Sequence, residues 1–231
     1  MKITYLGHAC FAIEVAEKKI LIDPFIKGSP HFTESMWQKA QNADYILVTH
    51  GHGDHLGDTV ELAKSSGAAV IGMPEVCGWL STQGVEKTLL LNMGGLVLAP
   101  GIEVKMVPAI HSSSIQTASG DTICGGIACG YLVKYQNNTI YHAGDTGIFG
   151  DMKLINDLHK PNIGLLPVGG IFTMDVAEAA YACANFFSFA TVIPMHYNTF
   201  PVLPRVDPAT LQDSFAGTAV KVLDIGEEVQ F

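Results

Sequence analysis

Residues 49–55 read Thr-His-Gly-His-Gly-Asp-His and bring three imidazoles and a carboxylate into seven positions. Neutral imidazole and carboxylate are the groups that Zn²⁺ and similar divalent ions take as ligands. His50 and His52 can face one cation while Asp54 and His55 are carried round to a second. Gly51 and Gly53 are expected to let the backbone turn sharply between them. The plain alternative is a surface loop rich in His, but this stretch holds three of the chain's nine histidines. The flanking elements argue for placement too. Asp44–Val48 is an apolar run that reads as a buried strand, and Leu56–Lys64 reads as a helix. The cluster thus falls on a strand-to-helix loop at the carboxyl end of a strand, where α/β sheets hold ligands.

The His-x-His-x-Asp-His pattern resembles the signature of the metallo-β-lactamase superfamily. That superfamily adds a His, a bridging Asp and a last His from later loops. Here His111, Asp145 and His196 follow in that order, each just past a strand-like run. The resemblance implies that His50, His52 and His111 hold one metal, that Asp54, His55 and His196 hold another, and that Asp145 bridges the two. Zn²⁺ is the first expectation for both ions, with Mn²⁺, Fe²⁺ or Ni²⁺ compatible with the same N/O ligands. Two such ions about 3.5–4 Å apart share a water whose pKa they lower towards ~7, and so provide a hydroxide nucleophile at neutral pH. Asp54 can also orient that nucleophile. The implied activity is hydrolysis of an ester, lactone, amide or phosphate ester.

Composition narrows the partners. The chain has 231 residues, is 48% hydrophobic and 15% charged, and carries a net charge of −9. A phosphate-backbone binder needs a basic face, so no nucleic-acid partner is expected and a small-molecule substrate is. Five cysteines without C-x-x-C spacing do not make a disulfide framework, and free buried thiols are expected. Met1–Leu6 enters a strand directly and reads as no secretory signal. No apolar run approaches the ~20 residues of a membrane span. A cytoplasmic protein is the expectation, which counts against an exported, antibiotic-degrading lactamase.

Along the chain, Ile3–Leu6, Cys10–Val15 and Lys19–Ile22 read as a β-meander turning at Gly7-His8 and Glu17-Lys18. A short helix is expected near Glu34–Gln41. Further strands are read at Ala68–Gly72, Lys87–Leu91, Leu96–Ala99 and Ile102–Ala109, with a helix opening at Pro74. Ser112–Thr122 is small and polar and reads as a mobile loop at the rim of the site or, equally well on composition, as a plain surface loop. Gly126–Tyr135 and Thr139–Tyr141 form a hairpin across Asn137-Asn138. Phe149–Leu158 fits an amphipathic helix and Asn162–Val168 a strand. Asp175 with Glu178 is a capping box opening a helix to Phe187. Thr191–Met195 is a strand, Pro208–Ala216 a helix and Val220–Ile225 a last strand. Hairpins, a βα unit, more hairpins and βαβαβ fit a single α/β domain over residues 1–231, a four-layer αββα sandwich. This is also the fold that the resemblance implies.

Four more residues are candidates for the site. His8 lies in Gly7-His8-Ala9-Cys10-Phe11, a turn that resembles one in the superfamily's metal-dependent hydrolase subgroup. That subgroup is related to L-ascorbate-6-phosphate lactonase and to the N-acyl-phosphatidylethanolamine phospholipase D type. The resemblance gives His8 an active-site role as substrate contact, proton donor or extra ligand. Asp23, at a strand end, either fixes the tautomer of a ligand His or is an ordinary turn residue before Pro24. His142 is second to Asp145, a proton donor, or a packed strand-end His. Gly169–Met174, with Thr173, suits a substrate-facing loop. It departs from the subgroup's pattern at Asp175, where that pattern has Gly. A di-iron redox role is discounted because position 52 is His. A metal-dependent sensor or binding module on the same scaffold is the non-enzyme alternative.

Overall fold

The computed structural model describes every residue except Ala216, the expected end of the Pro208 helix, which lies outside the described residues. The chain forms two compact units, neither of them a single stretch. Unit 1 comprises Met1–Gly94, Ser112–Ala128 and Asp224–Phe231, and unit 2 comprises Gly95–His111 and Cys129–Leu223.

Unit 1 holds strands β1 (Lys2–Tyr5), β2 (Phe11–Val15), β3 (Lys18–Ile22), β4 (Tyr45–Leu47), β5 (Ala69–Gly72) and β6 (Thr88–Leu90). Its helices are α1 (Glu34–Ala40), α2 (Gly53–Leu56), α3 (Thr59–Ser66) and α4 (Pro74–Thr82). Unit 2 opens with β7 (Gly95–Ala99) and β8 (Ile102–Pro108). A two-stranded hairpin, β9 (Ser114–Gln116) and β10 (Thr122–Cys124), belongs to unit 1. Unit 2 continues with β11 (Cys129–Tyr135), β12 (Asn138–His142), α5 (Met152–His159), β13 (Ile163–Pro167), α6 (Val176–Asn185), β14 (Thr191–Met195), α7 (Pro208–Ser214) and β15 (Ala219–Val220). Finally β16 (Glu228–Gln230) returns to unit 1.

Each unit has one seven-stranded sheet, ordered β16-β1-β2-β3-β4-β5-β6 in unit 1 and β15-β14-β13-β12-β11-β8-β7 in unit 2. Both sheets pair antiparallel on one side of a single strand and parallel on the other. The change falls at β3 in unit 1 and at β12 in unit 2. The central strands are apolar on both faces, as strands covered on both sides must be. Leu21, Ile46, Val70, Leu165 and Ile193 are all fully buried. In unit 2, Tyr141, Phe187 and Phe189 stack with centroids 5.3 and 4.4 Å apart along the series. Phe187 and Phe189 each contribute about 1.5–3 kcal/mol by leaving water. Burial in this cluster pushes the Tyr141 phenol well above its usual range.

Several boundaries move, each for a local reason. The expected helix Leu56–Lys64 is two helices, because Gly57 takes φ 41° and ψ −123° and ends the first. A Cβ there would press on the Pro24 carbonyl and come 2.7 Å from the Phe25 Cα. Asp58 fixes the break by accepting the backbone N–H groups of Ile26 and Lys27, each at 2.8 Å. Asp54 and His55 therefore stand on the one-turn helix α2 rather than on a loop. Residues 112–122 are not a loop throughout but build the β9–β10 hairpin. The β2–β3 turn sits at Ala16-Glu17, both with positive φ, as a two-residue hairpin requires. The β11–β12 turn sits at Gln136-Asn137, one residue earlier than expected. The capping box of α6 is present as read. The last expected strand shrinks to Ala219–Val220, while β16 was not anticipated. All five cysteines are free. Four are buried, and burial pushes the thiols of Cys77 and Cys183 up to about 11 and 12, but Cys124 is exposed. Among the described residues no helix is long and apolar enough to cross a membrane.

Candidate metal centre

In unit 1 the candidate residues gather at the carboxyl ends of β3 and β4. Asp23 follows β3 with φ 47°, a left-handed conformation that costs a non-glycine residue energy and clusters at functional sites. Its carboxylate is fully buried. Oδ1 accepts the Thr49 backbone N–H at 2.8 Å, and Oδ2 accepts the Thr49 hydroxyl at 2.6 Å. Oδ2 also lies 2.8 Å from His55 Nδ1. An ionised carboxylate only accepts, so His55 carries its proton on Nδ1 and presents a lone pair at Nε2. The Thr49 hydroxyl, with its one proton given to Asp23, accepts from His50 Nδ1 at 2.9 Å. His50 thereby also keeps its lone pair on Nε2. One carboxylate thus sets the tautomer of two imidazoles, one directly and one through Thr49.

His50 Nε2 lies 3.0 Å from His52 Nδ1, with the rings at 79°. Two nitrogens on one tetrahedral zinc stand about 3.3 Å apart, given Zn–N bonds of ~2.0–2.1 Å. The spacing of these imidazoles fits a shared cation. His8, on the β1–β2 turn with φ 53°, is fully buried at its side chain, and its Nε2 is 3.2 Å from Asp54 Oδ2. Its ring packs edge-on against His55 and Phe25 at 5.5 and 5.8 Å. The turn is pinned by Cys10 N–H donating to the Gly7 carbonyl at 2.8 Å and by the Tyr5 hydroxyl donating to His8 O.

The backbone bends at Gly51-His52 as expected, but neither Gly51 nor Gly53 takes a positive φ, so the bend does not use the conformations reserved for glycine. Gly51 is needed for closeness instead. A Cβ on it would meet Ser114 O at 3.0 Å, where the β9–β10 hairpin lies against the motif. The Gly51 N–H donates to Ser113 Oγ at 3.2 Å, and Ser113 in turn donates to Gly125 O at 2.9 Å.

Unit 2 supplies its candidates one per loop. His111 follows β8, Asp145 follows β12 and His196 follows β14. Asp145 Oδ2 is 3.0 Å from His196 Nε2 and 3.7 Å from His111 Nε2, and the carboxylate is almost wholly buried. One carboxylate oxygen thus faces two imidazole nitrogens. Backbone contacts hold these loops together. Thr146 Oγ1 accepts from Ile110 N–H at 3.0 Å, Gly147 N–H donates to Ile110 O at 3.1 Å, and Met174 N–H donates to Thr146 O at 2.9 Å. Gly169 packs so closely under His196 that a Cβ would overlap the His196 carbonyl. His196 itself has φ 57°. His142 is fully buried and its Nδ1 accepts the Gly144 N–H at 3.1 Å, which shapes the turn leading to Asp145. Thr173 is buried, with its hydroxyl on the Met174 carbonyl at 3.2 Å. Thr49 and Thr146, which carry much of this bracing, were given no role by the sequence. The signal for each was its place beside a candidate ligand, His50 and Asp145.

A sequence profile described as a β-lactamase superfamily domain matches residues 2–196. The chain belongs to the β-lactamase superfamily. A metal-dependent hydrolase of Dinoroseobacter shibae is 45% identical over 232 residues, covering 100% of each chain. One from Agrobacterium fabrum is 47% identical over 207 residues, covering 89% of this chain and 88% of its own. Within the superfamily, this chain falls in the group that these relatives form. A metallo hydrolase from the hyperthermophilic archaeon Ignicoccus hospitalis has a solved structure that superposes with a TM-score of 0.88 at 34% identity, over 100% of this chain and 97% of that one. The metallo-β-lactamase fold protein YhfI of Bacillus subtilis, 13% identical, reaches a TM-score of 0.74 over 99% of each chain and speaks for the fold alone. The α/β sandwich of metallo-β-lactamase type read from the sequence is the fold of this superfamily member.

Proposed function

We propose that this chain is a dinuclear metal-dependent hydrolase that cleaves an ester, lactone or phosphoester bond of a small molecule. The observation that carries the reading is the Asp23–Thr49 brace, which sets the buried His50 and His55 in the Nδ1-protonated tautomer, with the lone pair that a metal takes on Nε2. Membership of a group whose relatives bear the name metal-dependent hydrolase supports it. The donor set, imidazole nitrogen and carboxylate oxygen without thiolate, fits Zn²⁺ first and accepts Mn²⁺, Fe²⁺ or Ni²⁺. In this proposal His50, His52 and His111 hold one ion, Asp54, His55 and His196 the other, and Asp145 bridges them. In this proposal residues 1–231 make one hydrolase domain.

Ions so held supply Lewis acidity towards the scissile group and acidify water. The chain's own side chains do the rest. Asp23 and Thr49 keep two ligand imidazoles in the donor tautomer. His8 Nε2 and Asp54 Oδ2 share a hydrogen bond, so a proton can be held between them and delivered to a leaving group. The buried His142 keeps the Asp145 turn in shape. Elemental analysis after reconstitution, paired with a screen of lactones, phosphodiesters and phosphomonoesters, tests the proposal. Two metal equivalents and a chelator-sensitive turnover are expected. Metal content that never exceeds one equivalent sinks the dinuclear reading. Two bound metals with no turnover in any class would instead favour a sensor or binding protein.

A further inference from the structure

The segment Gly169–Asp175 holds more strain and more exposed apolar surface than bracing His196 requires. Gly170 has φ 68° and Ile171 has φ 57°. A β-branched residue in the left-handed region is a true outlier and persists only where its surroundings over-determine it. Here they do. Gly169 and Asp175 form an antiparallel bridge, Gly170 N–H donates to Met174 O at 3.1 Å, and Met174 N–H donates to Thr146 O. The strained backbone turns Ile171 and Phe172 outward, 63% and 52% exposed, and Ile110 from another loop is 60% exposed.

These three side chains line a depression of about 510 Å³ in unit 2, together with Thr173, Asp175 and Glu178. Its volume lies within the ~300–1,000 Å³ of small-ligand pockets. It borders all three donor loops of the unit, since Ile110 precedes His111, Gly147 follows Asp145-Thr146, and Gly170 adjoins the glycine packed under His196. The charged residues in its lining are Asp175 and Glu178, both acidic. An anionic group entering here meets repulsion, whereas an uncharged hydrocarbon group meets Ile110, Ile171 and Phe172.

We infer that this depression receives the uncharged alkyl or aryl end of the substrate, so that the enzyme takes hydrophobic esters or lactones in preference to small anionic phosphomonoesters. The inference rests on the hydrolase reading above and names its substrate class, with Ile171 and Phe172 as the specificity-determining residues. A p-nitrophenyl ester series from acetate to hexanoate tests it on the metal-loaded protein. KM should fall with chain length, by up to about fourfold per CH₂, and Phe172→Ser should flatten that trend. Ligand-observed NMR with benzyl alcohol gives a readout free of turnover. The alcohol should bind the wild type and bind Phe172→Ser and Ile171→Ser several-fold more weakly, with circular dichroism checking that both variants fold. Equal binding to all three proteins overturns the inference. So does a kcat/KM for p-nitrophenyl phosphate above that for the hexanoate ester. If no substrate is turned over yet alcohol binding still depends on Phe172, the hydrolase reading fails and the apolar subsite stands. If esters are hydrolysed with a KM indifferent to chain length, the hydrolase reading stands and the subsite falls.

Discussion

The two units carry sheets with the same pairing pattern, and they use them in opposite ways. In each, one strand marks the change from antiparallel to parallel pairing, and a buried carboxylate follows it closely: Asp23 directly after β3, Asp145 three residues after β12. In unit 1 that carboxylate is the brace, and the candidate ligands come from the single stretch 50–55. In unit 2 the carboxylate is itself a candidate ligand, and its companions come one at a time from distant loops. A contiguous motif places its rings close together but leaves them free to rotate, so side-chain hydrogen bonds must fix them. A scattered set has no such crowding. What it must fix is the spacing of loops, and it does so through backbone contacts at Thr146 and Gly169. Unit 1 should therefore be sensitive to lost hydrogen-bond partners, and unit 2 to added atoms.

The sharpest break of that contrast is Asp145→Ala, which removes a donor rather than a brace. Turnover should be abolished, and elemental analysis should show at least one metal equivalent lost. Retention of both metals at normal rate would remove Asp145 from the bridging role. Next in size is His8→Ala. If His8 serves proton transfer with Asp54, turnover should fall ~10²–10⁴-fold with metal content unchanged. A lost metal would make His8 a ligand instead. Asp23→Asn should cost ~10–100-fold in metal affinity or activity, because the amide can no longer accept from all three partners. In a chelator competition assay a wild-type affinity would show that unit 1 does not depend on its side-chain brace. Gly169→Ala adds one methyl group against the His196 carbonyl. It should lower stability by ~1–3 kcal/mol in thermal unfolding and weaken metal binding without deleting a donor. An unchanged melting temperature would mean that the backbone brace of unit 2 yields easily.

The smallest expected effect lies away from the site, where the Lys18–Asp44 pair ties the start of β3 to the residue before β4. Burial alone would raise the Asp44 carboxyl, but the Lys18 ammonium at 2.7 Å and the Lys19 N–H at 2.9 Å outweigh it and hold it below the usual range. A depressed carboxylate contributes stability above its unfolded pKa and loses it as pH falls through the folded one. Lys18→Met should therefore lower the melting temperature only slightly near neutrality, the pair being partly exposed. The difference from wild type should close in acid. A constant difference down to pH ~2 would assign the effect to packing.

How much of this was legible depended on how far each feature reaches along the chain. The motif at 49–55 could be read because its donors are neighbours and follow a strand made of five consecutive apolar-rich positions. His111, Asp145 and His196 could be named only through a resemblance, since nothing local distinguishes them from other strand-end residues. The helix break at Gly57 escaped notice because its cause is Pro24, over thirty positions away, and not the helix sequence itself. The hairpin at 114–124 reads as a loop because its strands are short and polar, and it is the contact with Gly51 that gives it a place. Asp23 was balanced between brace and turn residue, and its three hydrogen bonds decide for the brace. The strained Ile171 gave no signal at all, as a left-handed isoleucine has no sequence signature.

The pairing of β16 with β1 has a bearing on how the molecule is made. Lys2–Thr4 pairs with Glu228–Gln230, and Met1 N bonds Phe231 O across 230 positions. On the ribosome β1 emerges long before β16, and its outer edge stays open while all the residues between the two strands are made. Contacts of such long reach form slowly, and an open strand edge is where unwanted pairing with other chains begins. Closing that edge is therefore expected to be among the late steps of folding, and the nascent chain is most exposed to aggregation just before it.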